Sequence, residues 1–146
     1  NISSAYLVRD KFSNSYVLES DLYLYNQDLI RKYEYHSNFL GFKVDRTDDW
    51  CLETKNGIIT KEKVGGLDCY QMCGISYYDK ETGKQMEKDI KEVFMSPGGK
   101  ERYWEQVMLD IRKNNYKIYL RECKSEDIIE IDTFNELKAI DKTYDV

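Results

Sequence analysis

The sequence has little of several features that would assign it quickly to a class. One proline and eight glycines among 146 residues exclude collagen-like and low-complexity chains. No uncharged run approaches the roughly 20 residues of a transmembrane helix, and no basic stretch precedes an apolar one as in a signal peptide. Acidic residues number 27 against 22 Lys and Arg, giving a net charge of −5. A nucleic-acid binder would present a basic face, so we expect neither nucleic acid nor membrane as a partner.

Recognisable catalytic motifs are also scarce. His36 is the only histidine, so a Ser/His/Asp or Cys/His catalytic arrangement would have to use it, and nothing near it in the sequence supports that role. The sequence has neither a G-x-x-x-x-G-K-[ST] phosphate loop nor a G-x-G-x-x-G dinucleotide fingerprint. We therefore interpret His36 as a surface histidine.

Four cysteines occur, at positions 51, 69, 73 and 123. The closely spaced pair, Cys69 and Cys73, lacks the repeated C-x2-C spacing of a zinc ribbon. On a strand, residues four apart lie roughly 13 Å from each other, which is too far for a disulfide. We interpret the cysteines as reduced, mostly buried thiols of a cytosolic protein.

Aromatic residues make up 14% of the chain, enough for a packed core, and no linker or repeat divides residues 1–146, so we expect a single domain. Hydrophobic periodicity predicts helices over residues 3–12, 27–35, 80–95, 100–113 and 133–140. It predicts strands over residues 16–24, 50–55, 58–64, 69–78, 116–121 and 128–131. Asn56-Gly57 predicts a hairpin turn, and Thr133 with Glu136 predicts a capping box. The alternation predicts an α/β fold with a mixed, mostly parallel sheet and one antiparallel hairpin.

Two aspartates follow predicted strands, where α/β sheets place their binding sites. Asp21 comes after Tyr16-Val17-Leu18, and Asp132 comes after residues 128–131 and directly before a helix. If the two carboxylates meet at one sheet edge, they suit Mg²⁺, which takes one or two carboxylates together with substrate phosphates. The alternative is structural, because aspartates commonly serve in turns and as helix caps.

A second candidate set is aromatic, and consists of Trp50, Tyr77, Tyr78, Tyr103 and Trp104. Rings around a small pocket with acidic neighbours would attract a quaternary ammonium group through cation–π interactions. The alternative is ordinary core packing, which is the more common use of aromatic stripes at helical spacing.

Several stretches taken in order resemble the bacterial CTP:phosphocholine cytidylyltransferases of the sugar-nucleotidyltransferase superfamily. They are NISSAYLVRD at residues 1–10, SYVLESDLYL at 15–24, TDDW at 47–50, GISYY at 74–78, RYWE at 102–105 and EIDTFNEL at 130–137. Each stretch alone is weakly specific. Their common order makes the match more specific, and together they cover nearly the whole chain.

The resemblance implies a Mg²⁺-dependent transfer of a cytidylyl group from CTP to phosphocholine, giving CDP-choline and pyrophosphate. It implies a metal-binding, catalytic role for Asp21 and Asp132, with Glu130 adjacent in the substrate site. It further implies a choline pocket of aromatic and acidic side chains, namely Trp50, Tyr103, Trp104, Tyr78 and Glu105. The attacking phosphate oxygen is already an anion, so this chemistry requires no histidine base.

One departure from the family concerns its first segment, a strand and glycine-rich loop followed by an Arg and a downstream Lys. Residues 1–146 contain no such segment. We therefore expect residues 1–146 to be the acceptor-side part of a nucleotidyltransferase domain and to be inactive alone. Whether a choline kinase domain is fused to it in the parent protein is left open. A sugar phosphate or aminoalkyl phosphonate acceptor, and a non-catalytic domain on the same scaffold, remain alternatives.

Overall fold

A computed structural model describes residues 1–144 of the chain. The α-helices are α1 (Ile2–Leu7), α2 (Lys80–Met95) and α3 (Phe134–Ile140). The strands are β1 (Ser15–Leu18), β2 (Leu22–Leu24), β3 (Asn38–Lys55), β4 (Ile58–Tyr78), β5 (Tyr119–Glu122) and β6 (Ile128–Glu130). A π-helical turn spans Val107–Ile111, and the remaining helical segments are single 3-10 turns. Within these described residues, no helix has both the length and the apolarity to cross a membrane.

The sheet confirms the prediction of a mixed α/β fold. Its four strands lie in the order β1-β4-β3-β5. β4 pairs antiparallel with β1 and β3, and β3 pairs parallel with β5. A second, two-stranded antiparallel sheet joins β2 to β6. The expectation of mostly parallel pairing was wrong. The two strands of the hairpin, β3 and β4, are far longer than the predicted strands on either side of the turn, so antiparallel pairs dominate the sheet.

The predicted hairpin turn is confirmed at Asn56 and Gly57, whose φ angles of 54° and 75° are the left-handed values this turn requires. The two hairpin strands also bend, because Cys51 and Leu52 each pair with two different positions of β4. As a result the hairpin tip reaches β5, where Ile58 pairs with Tyr119.

Helix α2 covers the sheet and follows its sequence pattern closely. Asp79 caps the helix by accepting a hydrogen bond from the backbone N–H of Thr82. Met86, Ile90 and Val93 are buried at helical spacing and belong to the main core. This core also takes in the fully buried rings and aliphatic side chains of the sheet face that α2 covers. The predicted bounds of 80–95 are confirmed.

The predicted helix over residues 100–113 is wrong as a continuous element: only the π-helical turn and the 3-10 turns Gly99–Glu101 and Lys113–Asn115 at its two ends are helical. Tyr103 is 48% exposed, whereas its neighbour Trp104 packs against the core rings of Phe12 and Phe39 at 5.8 and 6.4 Å. Tyr103 and Trp104 thus point to opposite sides of the backbone. Consecutive side chains alternate in this way along an extended chain but not along a helix. Arg102, with φ −83° and ψ 154°, is accordingly extended.

Near the amino terminus the predicted elements are divided into shorter ones. The strand expected over residues 16–24 is interrupted at residues 19–21, so that β1 and β2 belong to different sheets. The helix expected over residues 3–12 becomes α1 and one 3-10 turn, and that over 27–35 is a single turn, Gln27–Leu29. At the other end α3 and its capping box of Thr133 and Glu136 are confirmed.

Gly83 tests the packing of α2. A Cβ atom at this position would lie 2.5 Å from the backbone N and Cα of Ser13, which cannot rotate away. Replacing a helix-interior glycine by alanine normally stabilises a helix by roughly 1 kcal/mol. We expect Gly83→Ala instead to lower the free energy of unfolding by about 1–3 kcal/mol, as overpacking does. Urea denaturation measures this change.

The matched control is Lys88→Ala, an exposed position in the same helix, which should leave the free energy of unfolding within about 0.5 kcal/mol of its original value. Stabilisation by Gly83→Ala would contradict the close approach of the two backbones.

Candidate active site

Two Glu-x-Asp segments lie side by side at one edge of the fold. Glu19-Ser20-Asp21 connects β1 to β2, and Glu130-Ile131-Asp132 leads out of β6. β2 and β6 pair antiparallel with Leu22 opposite Glu130, and the N–H of Ile131 donates to the carbonyl oxygen of Asp21 at 2.8 Å. This main-chain pairing brings together acidic residues that are more than 100 positions apart in sequence.

Three of these acidic residues form a group that could hold a metal ion. One carboxylate oxygen from each of Glu19, Asp21 and Glu130 lies within 4.8 Å of the others. Mg²⁺ prefers oxygen ligands at about 2.1 Å, which places opposite ligands about 4.2 Å apart. Small side-chain rotations therefore suffice, and the donor set fits the ion. Asp132 is outside this group but lines the same cavity.

The electrostatics of this edge are those of crowded like charges. Burial, followed by repulsion from Asp132 and Glu19, raises the pKa of Glu130 to about 7. Burial is also the main reason that the pKa of Glu19 is raised, with Glu105 and Asp21 adding to it. A cation at this edge would relieve the repulsion that shifts these pKa values.

We call the surface formed by Glu19, Asp21, Glu130 and Asp132 the acidic edge. A cavity of about 680 Å³ opens beside it. One of its walls is aromatic: the rings of Trp50 and Tyr103 meet edge to face, with centroids 5.7 Å apart and planes at 69°. Asp49 and Glu105 supply further carboxylates to the lining. The cavity thus combines accessible ring faces with negative charge, the combination that attracts an organic cation.

The structure brings most of the predicted site residues to this one cavity. Its lining includes Asp21, Trp50, Tyr103, Trp104, Glu105, Glu130 and Asp132. Two of the predicted aromatic residues are exceptions. Tyr77 packs against Tyr16, with ring centroids 5.2 Å apart, and is outside the lining. Tyr78 is fully buried and lies behind Trp104, whose ring is 6.0 Å away. Tyr78 therefore supports the pocket wall from the core and does not face the cavity. The roles of all these predicted site residues in binding and catalysis stay predictions.

Sequence reasoning missed two acidic residues of the cavity. Glu19 was assigned to a continuous strand, although it is two residues before Asp21, as Glu130 is before Asp132. The repeated Glu-x-Asp spacing was the available signal, because residues two apart on an extended chain share a face. Asp49 lies in the TDDW stretch, where spacing alone does not separate it from its exposed neighbour Asp48.

Comparison of sequences finds cytidylyltransferases. No family model matches the chain. Choline-phosphate cytidylyltransferases from Streptococcus pneumoniae and Haemophilus influenzae are 25% and 24% identical over 97% and 96% of the chain. A 2-aminoethylphosphonate cytidylyltransferase from Lancefieldella rimae is 26% identical over 99% of the chain. The chain covers 62%, 61% and 60% of these three relatives respectively, about three fifths of their length.

Comparison of structures gives the class of fold. A nucleoside-diphosphate-sugar pyrophosphorylase from Vibrio cholerae matches with a TM-score of 0.59 at 12% identity, over 85% of this chain and 54% of that one. The CTP:phosphocholine cytidylyltransferase from Streptococcus pneumoniae matches with a TM-score of 0.84 at 23% identity, over 98% and 63%. The chain therefore has a nucleotidyltransferase fold. Its predicted resemblance to the bacterial phosphocholine cytidylyltransferases is confirmed.

One more acid that sequence reasoning missed lies in the β3–β4 pairing. Glu62 is opposite the fully buried Leu52 in the β3–β4 pairing, and so shares its core-facing side. Its Oε2 atom is buried and has no hydrogen-bond partner among the described residues. Burial, followed by repulsion from Glu105 and Asp110, raises the pKa of Glu62 to about 8.

The titration of Glu62 should be visible in the stability of the chain. Because its pKa rises from 4.5 to about 8 on folding, the folded state holds the extra proton between these values. The free energy of unfolding should therefore fall as pH rises from about 5 to 8, by at most about 1.4 kcal/mol per unit. Glu62→Gln, which stays neutral, should make this decline shallower in urea denaturation series.

The matched control is Glu87→Gln on the exposed side of α2, which should retain the decline. An unchanged pH dependence in Glu62→Gln would contradict the assignment of a protonated carboxyl to this position.

Proposed function

We propose that this chain forms the acceptor- and metal-binding part of an enzyme that transfers a cytidylyl group from CTP to phosphocholine. The observation that carries this proposal is a single cavity lined both by an acidic edge and by an aromatic wall. The acidic edge suits a divalent cation, and the aromatic wall suits trimethylammonium. Similarity to choline-phosphate cytidylyltransferases over nearly the whole chain supports the same assignment.

In this proposal Asp21 and Asp132, the predicted metal ligands, would hold Mg²⁺ together with Glu19 and Glu130 of the acidic edge. Two observations support this. Carboxylate oxygens of Glu19, Asp21 and Glu130 lie within 4.8 Å of one another, and Asp132 lines the same cavity. When bound, the ion would neutralise phosphate charge during transfer. The pairing of β2 with β6 would keep its ligands in place without any movement of the chain.

The acceptor's cationic end would lie against Trp50 and Tyr103. A ring face attracts a desolvated organic cation by roughly 2 kcal/mol. Glu105 is 6% exposed at the cavity wall, and its charge would add attraction in a region of low dielectric. A quaternary nitrogen has no N–H to donate, so the ring faces and the cavity shape would set selectivity for it.

The proposed reaction needs orientation more than proton transfer. A phosphate oxygen of phosphocholine attacks the α-phosphorus of CTP, the bond to the pyrophosphate oxygen breaks, and CDP-choline forms. The attacking oxygen is already anionic, so no base is required of the chain. The lone histidine is consistent with this, because His36 is exposed, stacks on Tyr119 and is outside the cavity lining.

A second acceptor is favoured by one specific observation, the similarity to a 2-aminoethylphosphonate cytidylyltransferase over 99% of the chain. The primary ammonium group of 2-aminoethylphosphonate would donate hydrogen bonds to the carboxylates of Asp49 and Glu105. Comparing kcat/KM for phosphocholine and 2-aminoethylphosphonate in the full-length protein decides between the acceptors. Turnover of neither, with CTP and Mg²⁺ present, would contradict the proposed enzyme.

Asp21 provides the test of the metal site. We expect Asp21→Asn to lower cytidylyl transfer by the full-length protein at least 100-fold, because the variant loses a charged ligand. The affinity of the chain for Mn²⁺ should fall in parallel. Electron paramagnetic resonance, which detects the free ion, measures this affinity.

The control for Asp21 is Asp48→Asn, whose carboxylate is exposed and paired with Arg46 at 3.6 Å. This variant should keep both activity and Mn²⁺ affinity. An Asp21→Asn protein with normal turnover would exclude Asp21 from the reaction.

Trp50 provides the test of the choline site. We expect Trp50→Leu to lower kcat/KM for phosphocholine at least tenfold, which corresponds to about 1.4 kcal/mol, and to leave the KM for CTP unchanged. The reason is that leucine keeps an apolar contact but has no ring face for the cation.

Trp50→Phe, which restores a ring face, should recover part of the loss. Equal losses for phosphocholine and CTP in Trp50→Leu would indicate a folding defect, and the assignment of choline to this wall would then be withdrawn.

A further inference from the structure

Two of the four cysteines lie in contact although they belong to distant parts of the sequence. The Sγ atoms of Cys73, on β4, and Cys123, directly after β5, are 3.3 Å apart. β4 and β5 are on opposite sides of β3, a separation of about 9.6 Å for two strand spacings. The thiols meet because the β3–β4 pairing shifts register beside Gly41, and because the N–H of Cys123 donates to Gly41 as the chain leaves β5.

The pair has the accessibility that thiol oxidation requires. Cys73 is 6% exposed and Cys123 is half-buried, so solvent reaches the contact from the side of Cys123. The contact between the two sulfurs lowers the pKa of the Cys123 thiol, whereas the same contact and burial raise the pKa of Cys73. The accessible sulfur is thus the one with more thiolate character, which makes it the nucleophile.

The other two cysteines form an internal comparison. Cys51 and Cys69 are also in side-chain contact, but they are 0% and 2% exposed. Burial is the main cause that raises the pKa of Cys51 to about 11. This second pair is therefore shielded from solvent, and differs from the Cys73–Cys123 pair in access.

We propose that Cys73 and Cys123 form a reversible disulfide when the protein meets a hydroperoxide. The Cys123 thiolate attacks the terminal peroxide oxygen and breaks the O–O bond, which leaves a sulfenic acid on Cys123. The other peroxide oxygen departs as alkoxide or hydroxide and takes a proton from water. The Cys73 sulfur then displaces the sulfenic oxygen, which departs as water with the thiol proton. The two thiols lose two electrons, and the peroxide is reduced by the same two. The Sγ atoms need to approach by about 1.2 Å to reach the 2.05 Å of a disulfide.

The bond would join two segments that adjoin the two halves of the acidic edge. Cys73 precedes Gly74, whose carbonyl oxygen accepts from the N–H of Glu19 at 3.0 Å. Gly74 has a φ of 63°, and the Glu19 carboxylate occupies the space that a side chain there would need. Cys123 begins the connection to β6 and Glu130. An oxidised protein would therefore have a covalent link between segments that adjoin the acidic edge.

Mass spectrometry of the peroxide-treated chain tests the proposal. We expect a loss of 2 Da, two thiols that no longer react with an alkylating reagent after denaturation, and a proteolytic peptide in which Cys73 is joined to Cys123. Dithiothreitol should restore the original mass. Four alkylatable thiols after peroxide treatment, or a Cys51–Cys69 link in place of the expected one, would overturn the proposal.

Serine variants separate the two steps. In Cys73→Ser the Cys123 sulfenic acid has no resolving thiol and should be trapped by dimedone, with a mass increase at Cys123. In Cys51→Ser, the matched control from the shielded pair, the Cys73–Cys123 link should form as before. Absence of dimedone labelling in a folded Cys73→Ser chain would exclude Cys123 as the attacking sulfur.

Discussion

The antiparallel pairing of β2 with β6 is the interaction on which the candidate site depends. Each strand has three residues, and between them lies most of the chain. Carboxylates repel one another, so Glu19, Asp21 and Glu130 would not gather without an opposing force. That force comes from main-chain hydrogen bonds, including the one from Ile131 to Asp21. It also comes from a smaller apolar cluster, separate from the main core, to which Leu22, Leu24 and Ile128 belong. The polar site is held together by backbone bonds and apolar packing immediately beside it.

The parts of the fold that the sequence predicted are those set by local interactions. The bounds of α2, the turn at Asn56-Gly57 and the capping box at Thr133 each depend on residues within a few positions of one another. Strand direction does not, because it depends on which distant segment supplies the partner, and Leu22 and Glu130 carry no local sign of their pairing. The same limit applied to the site: the sequence indicated its residues one by one, whereas their meeting required the tertiary fold.

Tyr103 and Trp104 show how local pattern and tertiary packing compete. Their spacing to Val107 and Met108 is helical, and those two residues are indeed buried in the π-helical turn. Trp104, however, is inserted between Phe12, Phe39 and Tyr78, and burying a large ring outweighs the few tenths of a kcal/mol per residue of helix propensity. The extended backbone that results places Tyr103 against Trp50. The core contact of one aromatic residue thereby positions its neighbour at the cavity.

The charge of the cavity constrains how a phosphate-bearing acceptor would bind. Among the described residues that line the cavity, six are acidic and none is Lys or Arg. Such a lining attracts an ammonium group but repels a phosphate, so a zwitterionic acceptor would enter with its cationic end toward Trp50 and Glu105. Its phosphate would then be stable only beside a counter-charge, and the acidic edge at Asp21 and Glu130 is where a divalent cation supplies one. In the proposed enzyme, acceptor orientation and metal binding are therefore two consequences of the same negative charge.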